Sequence, residues 1–348
     1  VTVSNLNHGD TVYARLTDGT NAGNYAAINI LDGTPPTVSV EVGEVTYNSI
    51  EVTVTAEDKE SGLASSNAYR YYLNSESSPR ATSSSNTYTY EGLTGSKDYT
   101  IKVEVVDKGN NPGTGTAQAT TLKAPATNVN ELEAGDYVYY EDGQGTRQLC
   151  AVSYDSSSPY GVEIITMNTV EDVELGEGSQ TTITTKSMND YNNAIGILNS
   201  KTGAYNNSAY SDRSRSVGSL PSDPSSETGM FTSDESWFSN YNESLKGADT
   251  NYETDYNQMG TLGIQNLKEY YWLASRFMNA GSYAKTFRMW IVNRSGDVTY
   301  SNYICDVHNG GLRSGADTNG LRPVFHLKSN IKVTGGTGEE GSPYTLGT

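Results

Sequence analysis

The chain holds little material for covalent or acid–base chemistry. Its histidines are His8, His308 and His326, spread over the sequence. His326 alternates with Phe325 and Leu327 as on a strand, and His308 sits in a Gly-rich turn. No pair has zinc-ligand spacing, and no GxSxG, P-loop or GxGxxG stretch occurs. The two cysteines, Cys150 and Cys305, are compatible with one bridge or with two buried thiols. A Cys–His nucleophile pair is spatial rather than sequential, so spacing alone decides nothing about one. Glu57, Asp58 and Glu60 precede Ser61-Gly62 and could ligate calcium, but a solvated loop is the expected reading of such a cluster. The expectation is therefore a protein that is not an enzyme, with no catalytic residue, no metal ligand and no cofactor.

Recognition chemistry is better represented. Between Tyr270 and Leu327 the chain is crowded with Tyr, Ser, Asn, Gly and Arg, with Phe277, Trp290 and His308 added. Aromatic rings give contact area at low entropic cost, and Ser, Asn and Gly give adaptable hydrogen bonds; this is the composition of a paratope. The elements that must carry this stretch are short strands. Tyr271, Trp272, Leu273 and Ala274 form an apolar run expected to bury as a strand. Val324, Phe325 and Leu327 after Pro323 read as a last strand entering a core. Thr286–Val292 and Asp297–Tyr300 are expected between them, cut by Asn-Ala-Gly, Arg-Ser-Gly-Asp, His-Asn-Gly-Gly and Asp-Thr-Asn-Gly turns.

The motifs YWLASR, then GLRPVFHLKSNIKVTGG and SPYTLG, resemble the variable proteins of diversity-generating retroelements. The resemblance covers residues 128–348 and is densest from Asp255 onward. It implies a C-type-lectin-like domain, related in fold to the formylglycine-generating enzyme, with its diversified stretch near the C-terminus. In that family, template copying with errors at adenines turns Asn codons into Tyr, Ser, Asp, His, Gly, Thr, Ile, Phe, Arg or Cys. Phe277, Asn279, Tyr283, Thr286, Arg288, Asn293, Thr299, Ser301, Asn302, Tyr303, Asp306, His308 and Asn309 are compatible with that route. Met278, Lys285, Met289 and Trp290 are not, which makes them frame or fixed parts of the site. The expected ligand-binding face comprises the compatible positions plus Trp290 and Tyr300, within a variable region of about 277–319.

The same resemblance bears on two alternatives. A calcium-dependent carbohydrate adhesin of the C-type-lectin kind would carry Glu-Pro-Asn or Gln-Pro-Asp and Trp-Asn-Asp, and none of these occurs. An extracellular enzyme of formylglycine-generating type would need that family's catalytic cysteine pattern, for which there is no match. The resemblance instead implies a protein or cell-surface ligand, as monomer or trimer, and an extracellular place on a bacterial surface or pilus tip, or on a virion.

Length and composition bound the rest. At 348 residues the chain predicts two or three domains. A net charge of -18 disfavours nucleic acid and anionic membrane surfaces, since both would be repelled. No apolar run approaches the roughly 18 residues of a membrane span. The chain opens in mid-pattern without Met, as a fragment or processed form would.

In chain order, Leu6 to Leu16 resembles Leu93 to Val103: a Leu, a polar turn, then a Tyr leading an alternating strand. That is the tyrosine corner of fibronectin-III and immunoglobulin-like sandwiches. Residues 1–33 are thus expected to be the C-terminal part of a truncated sandwich. Residues 34–123 are expected to form a complete one and 124–348 the lectin-like domain. The fold class expected is mainly β plus α+β, immunoglobulin-like modules followed by a C-type-lectin-like domain. In the last domain, Tyr137–Tyr140 and Gln148–Val152 predict a hairpin, and Gly161–Met167 a buried strand. Met188, Tyr191, Ile195 and Leu198 predict one amphipathic helix capped by Ser187, and Tyr252–Gly263 a second. Ser200–Asn251 is expected to form long ordered loops pinned by Trp237 and Phe238, and Ser342–Leu346 a short edge segment.

Overall fold

The computed structural model describes residues 2–177, 185–222, 247–248, 250–264, 269–280, 284–300, 303–308 and 311–348. Only the backbone is described at 188, 247–248, 278–280, 284–286, 303, 305–308 and 311–314. The chain is mainly β and divides into two units, Val1–Ala124 and Pro125–Thr348.

The first unit begins with an antiparallel hairpin, β1 (Thr11–Ala14) and β2 (Ala26–Asn29). Its Tyr13 is 65% exposed and meets Tyr25 edge-on. Seven strands follow. β3 (Thr37–Val45), β4 (Ser49–Glu57) and β7 (Thr87–Glu91) make one antiparallel sheet. β6 (Ala81–Ser83), β5 (Tyr69–Leu73), β8 (Asp98–Val106) and β9 (Pro112–Thr120) make another. The alternation of Ile50, Val52 and Val54 against Tyr71, Leu73, Ile101, Val103 and Val105 is what seals the two sheets together, all lying in one cluster. Leading β8, Tyr99 is buried and its hydroxyl accepts the Thr94 N–H at 2.8 Å. That donor also holds the phenol below its usual titration range. The equivalent Tyr13 lacks the surrounding sheet. We expect Tyr99→Phe to lower the unfolding free energy of this unit by about 1 kcal/mol in urea titrations, the net worth of one such bond. An unchanged midpoint would remove the corner from the account.

The second unit is built on two larger sheets. The first, in spatial order, runs β14 (Ser211–Ser216), β22 (Pro323–Leu327), β12 (Glu163–Thr166), β11 (Arg147–Tyr154), β10 (Tyr137–Glu141), β24 (Tyr344–Gly347) and β23 (Lys332–Gly335). The second runs β13 (Glu171–Gly176), β21 (Ala316–Leu321), β16 (Tyr271–Ala280), β17 (Ala284–Val292), β19 (Tyr303–His308) and β20 (Gly311–Ser314). Short β15 (Gly247–Ala248) and β18 (Val298–Thr299) pair with β16 and β17 respectively. Helices α1 (Thr185–Asn192) and α2 (Ala194–Thr202) cover one face of the second sheet. Tyr191, Ile195 and Leu198 there pack with Trp272, Ala274, Phe287, Met289 and Ile291. On the other face, Tyr271, Leu273 and Val292 join Ala151, Ile165 and Val324 of the first sheet, with Met259 of α3 (Tyr252–Thr261) between them. None of the described helices is long and apolar enough to cross a membrane.

Several expectations change here. The Met188–Leu198 stripe lies on two helices, not one, broken at Asn193, whose Nδ2 donates to the Asn189 carbonyl. Ser187 is not a cap: it lies inside α1, buried, and its hydroxyl accepts the Glu177 N–H. β22 is an inner strand rather than the last, paired with β12 and β14. The tail is no edge segment either, because β24 runs parallel to β10 with β23 outside it. Within the expected loop region, residues 211–216 form β14, an edge strand; Trp237 and Phe238 fall outside the described residues.

Candidate ligand-binding face

On β17 the side chains alternate between two fates. Phe287, Met289 and Ile291 are at most 1% exposed and belong to the helix-covered core. Arg288 and Trp290, between them, are partly exposed on the opposite face. Cross-strand pairing brings Phe277 of β16 directly opposite Arg288, and Tyr300 follows β18 on the other side of β17. The result is an aromatic group with Trp290 at its centre. Phe277 and Tyr300 stack at 4.3 Å between centroids, with Trp290 edge-on to them at 5.2 and 5.4 Å. Tyr252, at the start of α3, closes the base 5.0 Å from Trp290. Arg288 donates from Nη1 to the Tyr300 carbonyl at 2.7 Å, and its guanidinium lies 5.4 Å from that ring's centroid. Such a set gives apolar area plus a fixed positive charge over a π-face. Among the described residues the Trp290 Nε1 has no hydrogen-bond partner, so a donor is left over within the aromatic group.

One border of this face is set by β16. Between Trp272 and Arg276 its register with β17 shifts. The bulged segment is held from the side: Ala274 N donates to Val217 O, and Ser275 Oγ donates to Gly218 O and accepts the Tyr252 N–H. Gly218 has φ +87°, and a Cβ there would sit 2.8 Å from the Ala274 nitrogen, so only glycine fits. Tyr252 is thus fixed at one border of the aromatic group.

Of the positions expected from sequence, Phe277, Arg288, Trp290 and Tyr300 come together in this group. Thr299 pairs with Ile291 beside it. Asn279, Thr286, Tyr303, Asp306 and His308 lie on the neighbouring ladder: Asn279 opposite Thr286, Thr286 opposite Asp306, Arg288 opposite Tyr303, Ala284 opposite His308. Their side chains lie outside the described residues, as do Tyr283, Ser301, Asn302 and Asn309 altogether. Asn293 does not join the face. Its Oδ1 accepts the Ser295 and Asp297 N–H groups, which commits it to the turn after β17. Of the residues expected as frame, Met289 is fully buried, while the side chains of Met278 and Lys285 are outside the described set. Tyr252 had no sequence signal, because its contact with Trp290 depends on where α3 docks.

Away from this face, a charged knot joins β12, β14 and α3. Arg215 is 1% exposed, and its Nη2 and Nε donate to Glu163 Oε2 at 2.6 and 3.2 Å. Its Nη1 and Nη2 donate to Asp255 at 2.6 and 2.9 Å. Burial alone would push the guanidinium toward losing its proton; Asp255 and Glu163 outweigh that and hold it charged. Every charge is answered, which is the geometry of a scaffold. Cys150 is a fully buried free thiol pushed well above its usual range by burial, the opposite of an activated nucleophile.

In the first unit, Asp58 clusters with Asp32 and Asp107, their oxygens within 4.8 Å of one another, and Glu60 adjoins the group through Asp32, which pushes its carboxyl above the usual range. Each carboxylate also accepts local N–H groups: Asp58 from Gly62, Asp32 from Thr34 and Ser61, Asp107 from Asn111. These bonds suffice to fix the three loops. No protein-family model matches the chain, and no curated protein shows significant sequence similarity to it.

Proposed function

We propose that the second unit is a non-enzymatic ligand-binding head of C-type-lectin-like type, akin to the variable proteins of diversity-generating retroelements. The seven-stranded part of the first unit is then an immunoglobulin-like spacer, and the hairpin before it the end of a preceding one. The observation that carries this reading is the division along β17: buried Phe287, Met289 and Ile291 alternate with Arg288 and Trp290 on a partly exposed aromatic face. The codon constraint falls in step with it, since Met289 is core and the fixed Trp290 is the hub around which Phe277 and Tyr300 pack. Aromatic and Arg anchors with fixed geometry are what protein contacts use as hot spots, and the partner is accordingly a protein or a cell-surface ligand. With neighbouring strands included, such a face would bury on the order of 800 Å² per partner. The place implied is extracellular, on a bacterial surface or pilus tip, or on a virion.

The test is selection. Phe277, Asn279, Tyr283, Arg288, Tyr300 and Asn302 are randomised together in the full chain displayed on phage, and panned against an unrelated protein such as lysozyme. We expect folded binders to emerge, with Trp290→Ala weakening each of them at least tenfold. A library that fails to fold, or yields no binder while a library built on an exposed face of the first unit does, would refute the reading.

A further inference from the structure

A second, smaller depression lies at the other end of β16, roughly 20 Å along the strand from Phe277 at about 3.3 Å per residue. It has a volume of ≈ 200 Å³ and is bounded by Thr169, Asp172, Glu269, Tyr270, Arg294 and Asn319. β21 runs beside β16 here, and the Gly320 N–H donates to the Tyr270 carbonyl at 3.0 Å. Gly320 is obligatory, since a Cβ would sit 2.3 Å from Thr169 Cγ2. Thr169 in turn is pinned by Glu269, whose Oε2 accepts its hydroxyl at 2.8 Å and its N–H at 3.3 Å. The walls are therefore set by packed backbone.

What the cavity presents is chemically mixed. The Tyr270 ring is 45% exposed, with the Arg294 guanidinium 5.7 Å from its centroid. Asn319 is only 3% exposed and sits on the inner strand β21 between β13 and β16. Among the described residues nothing hydrogen-bonds or pairs with the Asp172 carboxylate, which lies opposite Gly320 in the ladder. An anionic ligand would meet Asp172 and Glu269, and a simple cation would meet Arg294. A neutral ring with hydroxyls around its edge and a C–H face suits all of them. Carboxylates accept from hydroxyls, the guanidinium donates to them, and the phenol ring stacks on the C–H face. The volume is below the roughly 300 Å³ at which drug-sized pockets begin, so one ring is the limit.

We propose that this cavity is a metal-independent site for a single neutral monosaccharide unit, separate from the aromatic face and not dependent on the function assigned to it. The experiment is ligand-observed NMR titration of the full chain, in EDTA, with glucose, galactose, mannose, fucose and N-acetylglucosamine. At least one should bind saturably with Kd on the order of 1 mM, the value a ligand of this size reaches at ordinary efficiency. Tyr270→Ala and Asp172→Asn should each weaken it at least tenfold without shifting thermal unfolding, whereas Tyr300→Ser should leave it unchanged. No saturable binding by any of the five sugars would overturn the proposal. So would loss on Tyr300→Ser alone, or preferential binding of free glycine, which would mark an amino-acid site. None of these results bears on selection at the aromatic face, so the two claims fail separately.

Discussion

Arg215→Met is expected to destabilise the second unit by about 3–5 kcal/mol, the usual result of breaking a buried ion pair from one side. The substitution removes a guanidinium that is 1% exposed and leaves Glu163 and Asp255, at 1% and 3%, with only the more exposed Arg213, 3.4 Å from Glu163, as a cation among the described residues. Asp255 then keeps the Gly218 N–H but no charged partner among the described residues, and Glu163 keeps one long contact. Burial without that cation favours the protonated form of a carboxylate, so the folded variant should take up protons that the unfolded chain does not. Stability should then fall as pH rises, and the deficit should be larger at pH 8 than at pH 5. In the wild-type protein the Arg215 guanidinium stays charged across that window. Tryptophan fluorescence during urea unfolding reads this unit alone, because Trp237, Trp272 and Trp290 all lie in it. A deficit below about 1 kcal/mol, or one independent of pH, would mean that water reaches the knot.

The second large effect is at Trp272. Its ring is wholly buried between the second sheet and the paired helices, and its Nε1 donates to the Val173 carbonyl at 2.8 Å. Trp272→Ala should cost about 3–5 kcal/mol through lost burial, an unfilled cavity and an orphaned carbonyl. Trp290 stands eighteen positions later on the adjacent strand and carries the same side chain. Being partly exposed, it should cost much less on truncation. Comparable losses at both positions would erase the distinction between frame and face.

Much of this arrangement was legible in the residues because local pattern and burial agree. The apolar run Tyr271–Ala274 is wholly buried, and the alternation at Val38–Val42 and Ile50–Val54 became paired strands in register. The hairpin of β10 and β11 and helix α3 also sit where their periodicity placed them. What was not legible depends on long-range docking. β14 reads Ser-Asp-Arg-Ser-Arg-Ser, which as local pattern is surface, yet Arg215 within it is buried because Glu163 and Asp255 arrive from distant segments. The same holds for β24: nothing in Tyr344–Gly347 distinguishes an outer strand from one enclosed by β10 and β23. The stripe of Tyr191, Ile195 and Leu198 kept its spacing across a break at Asn193, because a one-residue interruption barely changes which side faces the sheet. The monosaccharide cavity left no trace either, its walls being drawn from four separated stretches.

The most direct measurement is the unfolding free energy of the second unit with Phe277→Ser, Arg288→Ser and Tyr300→Ser, singly and together, beside Trp272→Ala. A tolerant patch on an independent frame predicts single losses within about 1 kcal/mol and a cooperative transition in the triple variant. If any of the three alone costs as much as Trp272→Ala, those side chains are part of the core and the account is wrong.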